Sequence, residues 1–266
     1  MSELKIIGSR VARTDSLAKV TGAAMYTADM KLANMLVAKV LRSPHPHARI
    51  VNMDTTRALR VRGVKAVISG RDGHGVKWGV FRYTQDHAML PTDKVRYVGE
   101  DVAAVAAIDE ETALEALGRI RVEYEPLPAV FDPLESMQEG SPQIHEEYRG
   151  NINIHVHIDV GEVDRAMAEA WHVREDTFKA AGEAYAMMEP YAVVASFANG
   201  YLDLWMPTAG PHVRAKALSN LLKIPLNKIR VRHINSGGAF GGRSEVSPGD
   251  FIASLLSIKS GRPVKL

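Results

Sequence analysis

Gly237-Gly238-Ala239-Phe240-Gly241-Gly242-Arg243-Ser244-Glu245 lies between a β-rich segment, residues 228–234, and an apolar segment that begins near Pro248. Four glycines around one aromatic residue predict a loop that something approaches closely, because glycine lacks a Cβ and adopts positive φ. A strand, a glycine loop and a helix N-terminus also present free N–H groups, which suit an anionic or oxo-bearing ligand. The order of the glycines matches neither G-x-G-x-x-G nor a P-loop. A plain turn between strand and helix is the alternative.

Composition and charge indicate which classes of protein the chain can belong to. The chain has 266 residues, a net charge of +2 and no cysteine, with 46% hydrophobic and 24% charged residues. These values are typical of one or two soluble globular domains. The charge gives no support to nucleic-acid binding, and no apolar run is long enough for a membrane span. Without cysteine the chain forms no disulfide and ligates no iron–sulfur cluster with its own sulfurs. The N-terminal residues lack the pattern of a secretory signal, so we expect a cytoplasmic protein.

Hydrophobic patterning predicts an α+β region that ends near Leu127. We expect strands at residues 36–41, 50–53, 64–68 and 121–124. Residues 101–108 form a nearly continuous run of small apolar side chains, typical of a strand buried on both faces. Asp109 then suits the N-cap of a helix with acidic residues in its first turn.

A connector and a second region follow. Prolines and glycines are dense between residues 126 and 153, which predicts a connector with a short helix at 134–138. Beyond it we expect strands at 155–158 and 173–180 and a helix at 162–170. Asn199-Gly200 predicts a β-hairpin turn, and Pro211 is suited to start a helix. That helix would carry an apolar stripe: Val213, Ala217, Leu218, Leu221 and Leu222.

Catalytic and metal motifs based on side chains are weak. His45-x-His47 and His155-x-His157 have a spacing that could place two rings together, but no third ligand completes either pair. The acidic run at 109–111 is explained by a helix start. No G-x-S-x-G motif supports nucleophilic catalysis by serine. We therefore expect no metal bound by side chains.

Five stretches in one order resemble a known family. Besides the glycine loop, they are Asp15–Gly22 with Tyr26–Asp29, Leu41–Ile50, Lys94–Glu100 and Met188-Glu189-Pro190. Together they resemble the molybdopterin-binding large subunit of the molybdenum hydroxylases, the family of xanthine dehydrogenase and aldehyde oxidase. The similarity covers nearly the whole chain. It implies an α+β fold: a hammerhead-like α/β domain at residues 1–128, a connector at 129–150, and the first part of a molybdopterin-binding domain at 151–266.

The resemblance implies roles for the glycine loop and a second loop. The residues expected to bind the cofactor are Gly238, Ala239, Phe240, Gly241, Gly242 and Ala209. The residues expected near the substrate are Arg243, Ser244 and Glu245. In this family the molybdenum is held by pterin sulfurs, which agrees with the absence of a side-chain ligand cluster. The glutamate that acts as general base is expected beyond Leu266, so no catalytic residue is assigned within this chain.

Two positions depart from the family pattern. Ala209 stands where the family carries a glutamine that hydrogen-bonds the molybdenum oxo group. Ser244 stands where purine hydroxylases carry a substrate-binding glutamate, and a small hydroxyl there is more similar to the 4-hydroxybenzoyl-CoA reductase branch. We therefore expect an aromatic, acyl-CoA, aldehyde or N-heterocyclic substrate in place of a purine.

The resemblance also implies partners. The family's large subunit is longer than this chain, so we expect a split subunit, a gene fragment or a processed piece that needs a complementary molybdopterin-binding chain. The expected cofactor is molybdenum–molybdopterin in its cytosine dinucleotide form, with 2Fe-2S clusters and FAD on partner subunits. One alternative is a non-catalytic or assembly relative that keeps the fold. A more remote one is a phosphate-binding module that uses residues 237–242 as an anion nest.

Overall fold

A computed structural model describes residues 7–79, 81, 84–244 and 246–266. The described residues mix helices with antiparallel and parallel strands, which confirms the α+β class. The strands are β1 (Leu36–Arg42), β2 (Ala48–Asp54), β3 (Val64–Ser69), β4 (Lys77–Trp78), β5 (His87–Ala88), β6 (Lys94–Val95), β7 (Asp101–Ala107), β8 (Arg121–Pro126), β9 (Val194–Ala198), β10 (Tyr201–Met206), β11 (Ile229–His233) and β12 (Val264–Lys265). The α-helices are α1 (Ser16–Val20), α2 (Thr56–Leu59), α3 (Glu110–Arg119), α4 (Pro133–Ser136), α5 (Val163–Glu169), α6 (Pro211–Leu222) and α7 (Pro248–Ser260).

One seven-stranded sheet runs through most of the molecule. Its strand order is β11-β10-β9-β12-β1-β7-β3. The short strand β12 pairs in parallel with β1, where Leu36 faces Val264, and antiparallel with β9. Strands from both sides of the predicted connector therefore share one sheet. Smaller sheets with the orders β6-β2-β8 and β4-β5 lie beside it.

Strand β7 is buried on both faces, as its run of small apolar residues predicts. Ala104 and Ala106 belong to the larger core, which contains apolar side chains of α6 and α7. Ala103 and Val105 point to the opposite face, where they pack with residues of α2 and α3. Alternation along a strand sends successive side chains to opposite faces, so a central strand between helical layers needs apolar residues throughout.

Several local predictions are confirmed. The Asp109 carboxylate accepts the Thr112 N–H and caps α3. The Asn199-Gly200 turn joins β9 to β10, with φ of 53° at Asn199 and 77° at Gly200. Helix α5 forms at the predicted place, and α6 begins at Pro211.

The predicted apolar stripe of α6 is only partly correct. Leu218, Leu221 and Leu222 are buried, but Val213 is exposed. The buried face carries Arg214 in its place. A charged side chain holds this core position because it has buried partners, which are described with the site below.

Two predicted strands are wrong. Residues 155–158 and 173–180 have no strand structure, and both segments are exposed. Their apolar pattern is that of half-buried strands, but no described strand pairs with them. A β-strand requires hydrogen-bond partners on a neighbouring strand, so pattern alone does not create one. Ile158, Trp171 and Phe178 are left largely exposed, at 80%, 99% and 91%.

No helix within the described residues is both long enough and apolar enough to pass through a lipid bilayer.

Burial of Glu100, before β7, predicts a pH dependence of stability. Glu100 is 3% exposed, and burial raises the pKa of its carboxyl from 4.5 to about 7, although its side chain accepts the Arg96 N–H. Between these values the folded protein keeps a proton that the unfolded chain has lost, so stability falls as pH rises. We expect the free energy of unfolding to drop by on the order of 3 kcal/mol from pH 4.5 to 7, at about 1.36 kcal/mol per pKa unit. Denaturant unfolding at a series of pH values measures this.

Glu100→Gln should remove that part of the slope, since an amide does not titrate. Glu123→Gln, an exposed position on β8, serves as the matched control and should keep the wild-type slope. An unchanged slope in Glu100→Gln would contradict the prediction.

Candidate functional site

The glycine loop follows β11 and leads into α7. Gly238, Phe240 and Gly241 have φ of 116°, 46° and 91°, so the backbone turns repeatedly through the left-handed region. The Gly242 N–H donates to the Ala239 carbonyl at 2.8 Å and closes the turn. Phe240 lies at the tip and is 72% exposed. The loop therefore presents its backbone, and one aromatic ring, on the surface.

Four consecutive amides in this loop are free. Within the described part of the chain, the N–H groups of Gly238, Ala239, Phe240 and Gly241 donate to no protein acceptor. Successive amides in such a turn form a concave nest that binds anions and oxygen atoms. The loop that the sequence predicts to face a ligand thus carries N–H donors without an acceptor among the described residues.

Two glycines are required by packing. A Cβ at Gly237 would lie 2.5 Å from the Glu189 Cβ, and one at Gly242 would lie 2.7 Å from the Tyr185 ring. Gly241 is different, because a Cβ there would approach the Tyr185 ring no closer than 3.5 Å. At Gly241 it is the positive φ that favours glycine.

A buried ion pair fixes the base of the loop. Arg243 is 1% exposed, and its Nη1 lies 3.0 Å from Oε2 of Glu189, which is 9% exposed. Arg243 Nη2 also donates to the Glu189 carbonyl at 2.8 Å, and its Nε lies 3.1 Å from the sulfur of Met187. The same Glu189 oxygen accepts the Gly237 N–H at 2.8 Å. One carboxylate therefore contacts both ends of the loop.

The second predicted cofactor loop lies against the first. The Ala209 N–H donates to the Arg243 carbonyl at 3.1 Å, and the Thr208 hydroxyl donates to the same oxygen at 3.4 Å. Both Ala209 and Ser244 are exposed. The structure thus brings Ala209 and Ser244 to one surface, although 35 residues separate Thr208 from Arg243 in the sequence.

A second buried ion pair lies beneath this surface and joins α6 to α7. Arg214 of α6 and Asp250 of α7 are fully buried, and the Arg214 guanidinium donates to the Asp250 carboxylate. Tyr191 donates to the same carboxylate, and the Ser247 N–H donates to it at 3.0 Å. Burial raises the pKa of Asp250, and the Arg214 cation opposes that rise. Burial likewise raises the pKa of the Tyr191 hydroxyl.

Arg214 also connects to the second loop. Its Nε donates to the Thr208 hydroxyl at 2.7 Å, and the Gly210 N–H donates to the same oxygen at 3.1 Å.

Within the described residues no group of three or more histidine, aspartate or glutamate side chains is arranged to hold a metal ion. The surface therefore offers backbone donors and small side chains.

Comparison with known proteins identifies the family of the chain. Residues 21–128 match the family model for the a/b hammerhead domain of aldehyde oxidase and xanthine dehydrogenase, and residues 144–266 match that of the molybdopterin cofactor-binding domain. The chain belongs to the molybdenum hydroxylase family. The resemblance inferred from the five stretches is thereby confirmed.

Relatives in this family are longer than the chain. The chain is 35% identical to the nicotinate dehydrogenase large molybdopterin subunit of Eubacterium barkeri, over 99% of this chain and 61% of that protein. It is 31% identical to the carbon monoxide dehydrogenase large chain of Afipia carboxidovorans, over 99% of this chain and 35% of that protein. The crystal structure of quinoline 2-oxidoreductase from Pseudomonas putida 86 superposes with a TM-score of 0.87 at 31% identity, covering 97% of this chain and 34% of that one.

The structure of this molybdenum hydroxylase chain places most of the predicted site residues together. Gly238 to Gly242, Ala209 and Ser244 lie on one surface, whereas Arg243 is buried beneath it. Glu245, predicted near the substrate, lies outside the described residues.

Sequence patterning did not assign a role to the residues that hold the loops. Glu189 belongs to a stretch that resembles the family, but nothing in its spacing indicates a partner at Arg243. Arg214 could have been noticed, because it occupies the buried face of α6 with Leu218 and Leu221. Asp250 could also have been noticed, since Ser247-x-x-Asp250 has capping-box spacing.

The buried Arg214–Asp250 pair should be costly to break. Asp250→Asn leaves the Arg214 cation buried without its counter-ion, so we expect the free energy of unfolding to fall by about 3–5 kcal/mol. The control is Glu169→Gln, which breaks the exposed Arg165–Glu169 pair and should change stability by less than ~1 kcal/mol. Urea unfolding of both variants tests this, and equal effects would contradict it.

Proposed function

We propose that this chain is part of the large subunit of a molybdopterin-dependent oxidoreductase and forms one side of its cofactor site. The observation that carries the proposal is the row of four free amides at Gly238 to Gly241, next to Ala209 and Ser244. Relatives named as dehydrogenases support an enzyme over a non-catalytic relative.

The residues present fit a molybdenum–molybdopterin group. Free backbone donors suit oxo and phosphate oxygens, and glycines allow a ligand to approach the main chain. Gly238, Ala239, Phe240, Gly241 and Gly242 would line it, with the Ala209 methyl group from the second loop. When bound, such a group supplies two-electron oxidation or reduction with transfer of oxygen between water and substrate carbon.

The chain's own residues would bind and orient the reactants. The nest donates hydrogen bonds, and the exposed Phe240 ring would exclude water from the bound group. Ala209 offers a methyl group where the family pattern has an amide, so any hydrogen bond at that point must come from elsewhere. Arg243 would act as a positioning residue, because its guanidinium is occupied by Glu189 and Met187. We retain Glu245 as a proposed substrate contact.

The proposed substrate is an N-heterocyclic aromatic compound. Relatives named for such compounds include nicotinate dehydrogenase, nicotine 6-hydroxylase and quinoline 2-oxidoreductase. Ser244 is exposed beside the loop and can donate or accept one hydrogen bond. A neutral hydroxyl accepts a neutral or an anionic ring, whereas a carboxylate at this position would repel an anionic one.

We infer a cytosine dinucleotide form of the cofactor, a complementary molybdopterin-binding chain, partner subunits with 2Fe-2S and FAD, and a cytoplasmic location. The domain division at 1–128, 129–150 and 151–266 is supported by the two family models, which match residues 21–128 and 144–266.

The partner proposal is supported by exposed apolar side chains. They are concentrated in residues 154–188: Ile154, Val156, Ile158, Val160, Val163, Met167, Trp171, Val173, Phe178, Tyr185 and Met188. Exposed apolar side chains grouped in this way are typical of protein interfaces. A chain that spans 34% of a solved relative would expose such surface where the rest of the assembly packs.

Gly241→Ala tests the cofactor site. The added methyl group sits at φ of 91° beside the free amides, so it should distort the nest. We expect molybdenum content of the assembled complex to be lost, while the free energy of unfolding falls by only about 1 kcal/mol. Metal analysis beside a thermal melt measures both. Full molybdenum and activity in Gly241→Ala would show that the loop is only a turn.

Ser244→Ala is the matched variant at the same surface. It removes one exposed hydroxyl and should leave molybdenum in place. We expect weaker substrate binding by roughly 0.5–1.5 kcal/mol, the usual contribution of a hydrogen bond. Unchanged KM for N-heterocyclic substrates would remove Ser244 from the substrate contacts.

Replacing Trp171 and Phe178 tests the interface. Both rings are exposed in the chain, so Trp171→Ser with Phe178→Ser should cost little stability but weaken assembly by more than about tenfold, as for interface hot spots. Phe131→Ser, an exposed aromatic outside the segment, is the control. Sedimentation of the wild-type chain as a stable monomer, in the presence of its co-expressed neighbours, would count against the proposal.

A further inference from the structure

The glycine loop has one acceptor common to its two ends. Oε2 of Glu189 accepts the Gly237 N–H at 2.8 Å and lies 3.0 Å from Nη1 of Arg243. The main chain of Glu189 adds two more contacts: its N–H donates to the Gly237 carbonyl at 3.3 Å, and its carbonyl accepts from Arg243 Nη2 at 2.8 Å. Both ends of the segment from Gly237 to Arg243 are therefore held by this single residue.

Apart from the second loop, whose Ala209 N–H and Thr208 hydroxyl donate to the Arg243 carbonyl, the glycine loop has few other restraints. Its internal hydrogen bonds are Gly242 N–H to Ala239, Ser244 N–H to Gly241, and the Ser236 hydroxyl to Gly238. Phe240 contributes little packing, since its ring is mostly exposed. Without an anchor at its base, a segment with four glycines has a large conformational entropy to overcome.

The Glu189–Arg243 pair is costly to bury. Oε1 of Glu189 is buried and has no hydrogen-bond partner among the described residues. Burying a charged pair often contributes no net stability compared with apolar side chains of similar size. Since a buried pair has no general advantage for stability, its contacts with both ends of a ligand-facing loop point to a positioning role.

We propose that Glu189 is the positioning residue of the proposed cofactor site: it sets the conformation of the loop from Gly237 to Arg243, and through it the direction of the four free amides. The assignment rests on the proposed function only for the identity of the ligand. The geometry of the anchor does not depend on that identity.

The first test uses amide hydrogen exchange in the chain without ligand. Gly242 and Ser244 donate their N–H groups to carbonyls within the loop, so they report whether the loop keeps its shape. The Gly237 N–H donates to Glu189 itself and is therefore left out of the comparison. In Glu189→Ala we expect exchange at these two amides to accelerate by about tenfold or more, while the amides of α7 keep their wild-type rates. Glu183→Ala, an exposed glutamate on the same segment, should change none of them. Wild-type exchange in Glu189→Ala would overturn the proposal.

A second variant separates positioning from stability. Glu189→Ala leaves the Arg243 cation buried and unpaired, which can prevent folding. Glu189→Ala with Arg243→Met removes that charge and fills the space with an apolar side chain. We expect the melting temperature to return towards the wild-type value while the amides of Gly242 and Ser244 remain fast. If the melting temperature and the exchange rates all return to their wild-type values, the pair serves stability alone and the proposal is wrong.

A third measurement connects the anchor to the ligand. In the co-expressed complex, the double variant should contain at least about tenfold less molybdenum than wild type, as expected when a residue that orients a binding site is lost. Wild-type molybdenum content in the double variant would contradict the positioning role. A wild-type complex without molybdenum would instead refute the proposed function, and the exchange measurements would still decide the role of Glu189.

Discussion

The buried contact between Arg214 and Asp250 determines how the two halves of the site meet. Arg214 comes from α6 and Asp250 from the first turn of α7, so their ion pair fixes one helix start against the other. Nε of Arg214 holds Thr208, whose hydroxyl donates in turn to the Arg243 carbonyl. Beyond Arg243 lies Glu189. A continuous series of charged and polar contacts thus extends from the core to the base of the glycine loop. Each side chain in the series orients the next one.

This arrangement separates two tasks. Side chains that are buried hold the backbone, while the surface they support carries backbone amides, a methyl group and a hydroxyl. Among the described residues, this surface presents N–H donors and uncharged side chains. It can therefore be selective through shape and through the direction of its N–H groups, both of which depend on the buried contacts.

Much of the fold was predictable where local pattern and tertiary context agree. The small apolar run of β7, the Asp109 cap and the Asn199-Gly200 turn each satisfy a requirement that adjacent residues express. Residues 155–158 and 173–180 show the opposite case, because their strand-like pattern needs a partner that the described chain does not supply. In the site, the glycines predicted the loop, and the resemblance placed Ala209 beside it. The anchor at Glu189 was not predictable, since an ion pair between positions 189 and 243 has no periodic signal and depends on the approach of two distant segments.

The position of strand β12 affects how the seven-stranded sheet forms during folding. It lies between β1 and β9, so the seven-stranded sheet is joined only when residues near 264 reach a strand near 36. Contacts between segments so far apart in sequence lower the folding rate, because a long loop must close before the pairing stabilises it. Until then, β1 and β9 each expose an unpaired edge, and such edges template aggregation. A nascent chain therefore carries two open sheet edges until the residues near 264 have been synthesised, and during that interval it is exposed to aggregation.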